Sequence, residues 1–433
     1  MTDAVALRAR VLETFLASQQ ESLAAACYAL ARSLSRGGTL FAHGRGGAAS
    51  DAAHVAVEFL HPVIVGKRAL PALTLPAAST LGAFARADDA VLVLAHGALV
   101  ADEAELLVDA RRRGLMTIAM TGNGTGVEAD FVFAVPSDDP VIVQEIQETA
   151  YHVLWELVHV FFEHPGLLEE GCLTCGDVSP QARVVALAGR TATVEHDGVH
   201  EEIAVDLIAD QLNVGDVVLC HAGVALERVP DDQTAFLYPF LEGSENDLES
   251  VMADVRSSTL AKGRDTSALR DTIDLDGLAR CGADVKTRLH DGGRLLTFGN
   301  GGSATDAADV AYDARARGWP AIALAEDTAT VTAVANDVGF ENVFSRQLIA
   351  LGGSGDVALA ISTSGSSPNV VAGLAEAHRR GMTTVGLLGY DGGRAAKLPG
   401  LDHALVISGD YIPRLQEAQA TAYHLLVDAI GLR

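Results

Sequence analysis

Basic residues are scarce in this chain: 31 Lys and Arg stand against 57 Asp and Glu, a formal net charge of −26. Nucleic-acid binding, which needs clustered Lys and Arg to neutralise phosphates, is therefore not expected. An anionic ligand must be held by local dipoles and hydroxyls against an unfavourable overall field. Cysteine is also sparse, with five in 433 residues, too few for a disulfide scaffold. Cys172, Cys175 and Cys220 nevertheless cluster in one region. No stretch approaches the roughly 20 apolar residues of a membrane span, so no membrane association is expected. Met1-Thr2-Asp3-Ala4 is not a basic segment leading into an apolar one, so the expectation is no signal peptide and a cytoplasmic location. With 49% apolar and 20% charged residues, the chain reads as globular, with room for two to four domains.

Devices for holding phosphate are present instead. Gly299-Asn300-Gly301-Gly302-Ser303 follows the apolar run 295–298 and precedes an Ala-rich, helical-looking segment. That is a strand, a glycine turn and a helix N-terminus, whose unpaired N–H groups and dipole favour an anion. A hydroxyl cluster, Ser362-Thr363-Ser364-Gly365-Ser366-Ser367, follows a second apolar run (357–361) and precedes another helical segment (370–378). Two such turns at the carboxyl ends of neighbouring parallel strands converge on one phosphate. Hydroxyls in place of Lys or Arg suit a phosphorylated sugar that must come and go.

The chain also contains itself twice. Residues 37–47 echo 292–302, and Gln144-Glu145-Ile146-Gln147-Glu148-Thr149-Ala150-Tyr151-His152 echoes Gln416-Glu417-Ala418-Gln419-Ala420-Thr421-Ala422-Tyr423-His424. Each half alternates strand-like with helical runs and ends in a long amphipathic helix, beginning near Val141 and near Pro413. The pattern predicts an α/β protein with two doubly wound parallel sheets. Between the halves, short alternating runs at 183–187, 191–195, 202–205 and 217–220 predict a small β-barrel. The domains are expected at 1–168, 170–230 and 240–433, with the polar stretch 257–265 a cap or loop within the second repeat.

The C-terminal half resembles sugar isomerase (SIS) domains, and among them the sedoheptulose 7-phosphate (phosphoheptose) isomerases. The residues carrying this are 299–303, the run Ala335-Asn336-Asp337-Val338-Gly339-Phe340-Glu341-Asn342-Val343-Phe344-Ser345-Arg346-Gln347, residues 362–369, Asp391-Gly392-Gly393, and Arg414-Leu415-Gln416-Glu417 with His424. The resemblance implies that Asn300, Ser303, Ser362, Thr363, Ser364, Ser367 and Asp337 bind a sugar phosphate. It further implies an aldose–ketose isomerisation in which a Glu and a His move a proton, grouped with a His and a Gln around a metal. Here the halves divide that equipment. The C-terminal half keeps Gln416 and His424 but has Asp309 and Asp313 where the family has its His and Glu. The N-terminal half has His54, Glu58, Gln144 and His152 at the matching positions, but Ala48 replaces the phosphate-loop serine and Ala95-His96-Gly97-Ala98 replaces the hydroxyl cluster.

His54 and Glu58, four apart, share a helix face and could clasp one ion. Gln144 and His152, eight apart, are separated by about 12 Å along a helix, so both cannot easily reach it. The expectation is a composite site. The C-terminal half holds phosphate, and Glu58, His152 and His424 are the catalytic candidates. The metal candidates are His54, Glu58, Gln144 and His152 for a zinc-type ion, with Gln416 and His424 from the other half. Ligand binding without turnover and a purely structural duplication are the alternatives.

The middle segment, through Cys172-Leu173-Thr174-Cys175, Val214-Gly215-Asp216 and His221-Ala222-Gly223-Val224-Ala225, resembles the HypC/HupF hydrogenase maturation chaperones. The resemblance implies iron held by Cys172 and His221, with Cys175 a helper. Thiolate and imidazole suit iron. In the family the working Cys follows the initiator Met, whereas Cys172 is internal. Zinc on Cys172, Cys175, Cys220 and His221 competes, but adjacent residues on a strand face opposite ways; packing is the expected role of Cys220. A redox Cys-x-x-Cys pair lacks a surrounding thioredoxin-like pattern.

The favoured reading is a nickel–iron hydrogenase maturation factor, a HypC-like iron carrier fused to phosphosugar-binding SIS domains. The alternative is a sedoheptulose 7-phosphate isomerase with a composite inter-repeat active site. The expected cofactors are iron and zinc. The expected partners are a hydrogenase large subunit, a maturation scaffold protein and a phosphorylated sugar, in a homo-oligomer.

Overall fold

The computed structural model describes residues 1–64, 66–124, 126–168, 181–189, 191–196, 199–205, 208, 212–221, 224–229 and 248–431. Helix α1 (Thr2–Ser35) contains neither Gly nor Pro and stops just before Gly37, whose φ of 90° the helix cannot continue through. Strands β1 (Leu40–Gly44), β2 (Ala72–Thr74), β3 (Ala90–Leu94), β4 (Met116–Thr121) and β5 (Phe131–Ala134) follow. They pair in parallel in the order β2-β1-β3-β4-β5. Helices α2 (Ala48–Leu60), α3 (Leu81–Phe84), α4 (Ala101–Arg112) and α5 (Pro140–Phe162) accompany the sheet. The Ala-Val-Leu-Val-Leu run of β3 is buried throughout, as a central strand covered on both faces must be. Asp139 starts α5 by accepting the Val141 N–H, with Pro140 at the first helical position.

Five strands come next: β6 (Gln181–Ala188), β7 (Thr191–His196), β8 (Val199–Ala204), β9 (Val217–His221) and β10 (Val224–Val229). They close on themselves in the order β10-β8-β7-β6-β9 around Val184, Val194, Ile203, Val218 and Ala225.

The C-terminal half consists of α6 (Leu248–Arg270), α7 (Leu275–His290), β11 (Leu295–Phe298), α8 (Gly302–Ala316), β12 (Ala321–Ala323), α9 (Thr328–Val338), α10 (Val343–Leu351), β13 (Val357–Ser362), α11 (Pro368–Arg379), β14 (Thr383–Leu388), β15 (His403–Val406) and α12 (Ile412–Ile430). Its parallel order, β12-β11-β13-β14-β15, repeats that of the first sheet. The sheet direction of winding reverses between β11 and β13, which is where such folds place ligands. Residues 257–265 are helical, within α6, and not the loop the polar sequence predicts.

The halves exchange helix ends. Ala4 and Val5 of α1 pack in the C-terminal core, while Val251 and Val255 of α6 pack in the N-terminal one. Polar pairs cross the same boundary: Arg414 Nη2 lies 2.5 Å from Glu156 Oε1, and Lys262 donates to the same carboxylate. Neither half therefore closes its own core. Among the described residues no helix is long and apolar enough to cross a membrane.

Candidate functional site

The two turns predicted to hold phosphate meet at the switch point of the second sheet. Gly301, at φ 54°, turns the chain from β11 into α8, and Gly302 and Ser303 lie buried at the helix start. Asn300 and Asn369 exchange two amide hydrogen bonds, 2.9 and 2.8 Å, which tie the first turn to the N-terminus of α11. Ser362 Oγ accepts the Gly365 N–H at 3.1 Å and Ser364 Oγ accepts the Ser366 N–H at 3.2 Å, so these hydroxyls shape the second turn. Gly365, at φ 59°, presses on the Gly392 carbonyl, a contact that leaves no room for a side chain. Thr363 and Ser367 are half-buried beside it. Asp337 is exposed near the end of α9, where it accepts from Asn336 at 2.8 Å.

Directly against the first turn stand His54 of the other half and Gln416 of the same half. A side chain on Gly302 would collide with the His54 ring and the Gln416 amide. His54 and Glu58 come from α2, His152 from α5 and Gln416 from α12, all buried. His54 Nε2 lies 3.4 Å from His152 Nε2, 3.7 Å from Glu58 Oε1 and 3.1 Å from the Gln416 amide. A tetrahedral ion with bonds of about 2.0–2.1 Å needs donors roughly 3.3 Å apart, so the spacing fits one. Both Glu58 oxygens and Gln416 Oε1 are buried with no hydrogen-bond partner, which a native interior rarely tolerates without a ligand. His54, Glu58 and His152 can together reach one ion. The donor set of two imidazoles, a carboxylate and an amide suits zinc.

Gln144 and His424, predicted for the same site, are elsewhere. The pseudo-twofold arrangement of the halves puts Gln416 on His54 and sends Gln144 toward Asp51, 3.5 Å away. His424 is held on Nδ1 by Glu145 at 3.1 Å, and its Nε2 lies 3.4 Å from the Asp309 carboxylate. Burial opposes its charge, but these two carboxylates lift its pKa to about 10. Its surroundings in the mirror position carry further pairs. Tyr423 donates to Asp309 at 3.0 Å, His96 lies 2.6 Å from Asp51, and Arg317 sits 3.1 Å from Asp313. The His96 ring and Tyr312 stand within 3.3 Å of where a Gly47 side chain would begin, filling the space over the N-terminal turn.

Charge in the first site is arranged differently. Burial disfavours a charged His54, but Asp306 and Glu58 hold its pKa well above the usual histidine value. Burial, with the Asp306 carboxylate nearby, raises Glu148 well above the ordinary range, making it a neutral acid behind the site. Glu417, despite burial, is held at about 2 by Arg414, His152 and Thr266. Asp306, Glu148, Glu417, His96 and Tyr312 were not singled out from sequence. Glu417 and Glu148 stand in the repeated motif, and His96 in the run that replaces the hydroxyl cluster.

In the middle segment, Cys172 and Cys175 lie outside the described residues. His221 closes β9 by its backbone and pairs with Val224. Cys220 is buried among Val218, Ala225 and their neighbours, and burial with the Glu201 charge pushes its thiol up to about 11. That matches the packing role expected of it rather than a thiolate ligand.

Comparison with known proteins places these features. The family model for the SIS domain matches residues 267–389, and that for the HupF/HypC family matches residues 180–237. The chain is 46% identical over 151 residues to a phosphoheptose isomerase of Geotalea daltonii, covering 34% of this chain and 78% of that one. It is 40% identical over 185 residues to a phosphoheptose isomerase of a Bradyrhizobium species, covering 41% and 92%. Over its whole length it shares a fold with the C-terminal domain of glucosamine-fructose-6-phosphate aminotransferase from Francisella tularensis, with a TM-score of 0.53 and 10% identity, covering 97% of this chain and 94% of that one.

Proposed function

Because the chain belongs to the phosphoheptose isomerase family of SIS proteins, we propose that it interconverts sedoheptulose 7-phosphate and its aldose isomer at a single site shared by its two halves. The observation that carries this is the contact of Gly302, in the phosphate turn of one half, with His54 of the other. The halves that divide the equipment in sequence rejoin it in space. This reverses the order of preference reached from sequence.

The Ser303 and Ser362 turns and the N-termini of α8 and α11 bind the phosphate, with backbone N–H groups and hydroxyls compensating the acidic surroundings. Glu58, whose oxygens carry no hydrogen bond, takes the proton from one sugar carbon and returns it to its neighbour, the carbonyl and hydroxyl exchanging places without net gain or loss of atoms. His152 Nε2 faces the same space. His54, Glu58, His152 and Gln416 would hold a zinc-type ion, which supplies polarisation of the sugar carbonyl. Incubating the zinc-loaded full chain with sedoheptulose 7-phosphate should yield the aldose. Glu58→Gln should abolish turnover, and Ser303→Ala should chiefly raise KM. Robust turnover by Glu58→Gln would falsify the assignment.

A second reading is favoured by the HupF/HypC match. On it, the middle segment carries iron as cargo on Cys172 and His221 during nickel–iron hydrogenase assembly in the cytoplasm. Anaerobic co-purification of a hydrogenase large subunit or maturation scaffold, lost in Cys172→Ala, would support it. Absence of such partners while hydrogenase is being made would sink it.

A further inference from the structure

In the helices joining the two halves, one carboxylate from each half grips a histidine of the other. Glu417 of α12 lies 3.0 Å from Nδ1 of His152, and also accepts from Thr149 at 3.2 Å and from Thr266. Arg414 Nη2, 2.8 Å away, keeps the carboxylate ionised. An ionised carboxylate only accepts, so Nδ1 must be the protonated ring nitrogen. That leaves Nε2 as the nitrogen facing His54. The mirror pair is built alike: Glu145 of α5 contacts His424 Nδ1 and accepts from Thr421 at 2.5 Å, beside Arg8 and Arg270. There, however, Nε2 faces the Asp309 carboxylate at 3.4 Å in place of a second imidazole.

We propose that Glu417 is a positioning residue acting across the two halves: it fixes His152 with its proton on Nδ1 and so presents Nε2 to a divalent cation held with His54, Glu58 and Gln416. Glu145 makes the matching contact for structure alone. The inference rests on that cluster being a cation site, and not on which sugar is turned over. The pseudo-symmetry supplies the control, since Glu417→Gln and Glu145→Gln each neutralise one buried carboxylate in equivalent surroundings.

The test is Co2+ binding to the full chain, followed by its visible absorption and by calorimetry, with thermal unfolding of each variant alongside. Loss of such an outer partner typically weakens a metal site by about 10–100-fold. Glu417→Gln should show that loss and Glu145→Gln less than about threefold, at comparable cost in thermal stability. Equal losses, no loss in Glu417→Gln, or a wild type that binds no Co2+ would each overturn it. Should a variant fail to fold, 15N-histidine NMR of the wild type decides: Nδ1 of His152 protonated supports the proposal, and a bare Nδ1 overturns it. A wild type that binds Co2+ but does not convert sedoheptulose 7-phosphate removes the isomerase reading and leaves this one. Turnover with equal Co2+ affinity in the two variants does the reverse.

Discussion

Replacing Gly302 by alanine asks directly whether the two halves build one site. Gly302 is the first residue of α8 and has no positive φ, so alanine would otherwise favour the helix by about 1 kcal/mol. The space is taken, however. A Cβ there would stand 2.5 Å from His54 Nε2 and closer still to the Gln416 amide. To reach an ordinary separation of about 3.4 Å the ring must withdraw by roughly 0.9 Å. Overpacking of this kind costs about 1–3 kcal/mol, so the net loss of stability should be about 0–2 kcal/mol. Function should suffer more, because a shift near 1 Å in a catalytic group costs about 100-fold. The assays are conversion of sedoheptulose 7-phosphate, Co2+ affinity and thermal unfolding. The mirror change, Gly47→Ala, meets the His96 and Tyr312 rings at 3.3 Å, needs only a small adjustment and should leave turnover close to wild type. If Gly302→Ala and Gly47→Ala were indistinguishable in turnover and in Co2+ affinity, the shared site would be refuted.

Other outcomes follow from the same contacts. A fragment spanning 248–431 lacks His54, Glu58 and His152 and leaves Val251 and Val255 uncovered; it should self-associate and bind no Co2+ at this cluster, whereas a monomer that binds normally would contradict the helix exchange. Arg8→Ala removes a partner of the fully buried Glu145, and breaking such a pair costs about 3–5 kcal/mol, moderated here by Arg270 and His424; denaturant unfolding measures it. The pKa of His424, raised to about 10, stabilises the fold fully below its ordinary value near 6.5, and that contribution disappears as pH rises through 10. The melting temperature should therefore fall between about pH 6.5 and 10, and this part of the fall should vanish in His424→Gln.

The residues that dictate local backbone were legible. Gly301, Gly302 and the hydroxyl turn announced themselves because a strand-to-helix turn that approaches a ligand needs glycine and small polar side chains. The internal repeat was legible because Gln144 to His152 and Gln416 to His424 keep the same spacing. Helix α6 was misread between 257 and 265 for an instructive reason. Its buried stripe includes Thr259, Lys262, Gly263, Thr266 and Arg270, which look like a solvated segment. They are buried because their partners, Glu156, Glu417 and Glu145, are buried carboxylates of other helices, and no local pattern records that.

The sequence by itself determined two parallel-sheet halves, a phosphate-holding turn pair in one and an acid/base set in the other, since strand, turn and helix chemistry are local. Tertiary structure alone decided which groups meet. Gln144 and Gln416 sit in the same motif, and nothing in either half tells them apart. Eight helical residues span too far for a Gln and a His of one helix to share an ion, so His152 takes its partner from the opposite half. Packing α5 against α12 across a pseudo-twofold axis sets Gln416 beside His54, while the same operation leaves His424 locked between Glu145 and Asp309.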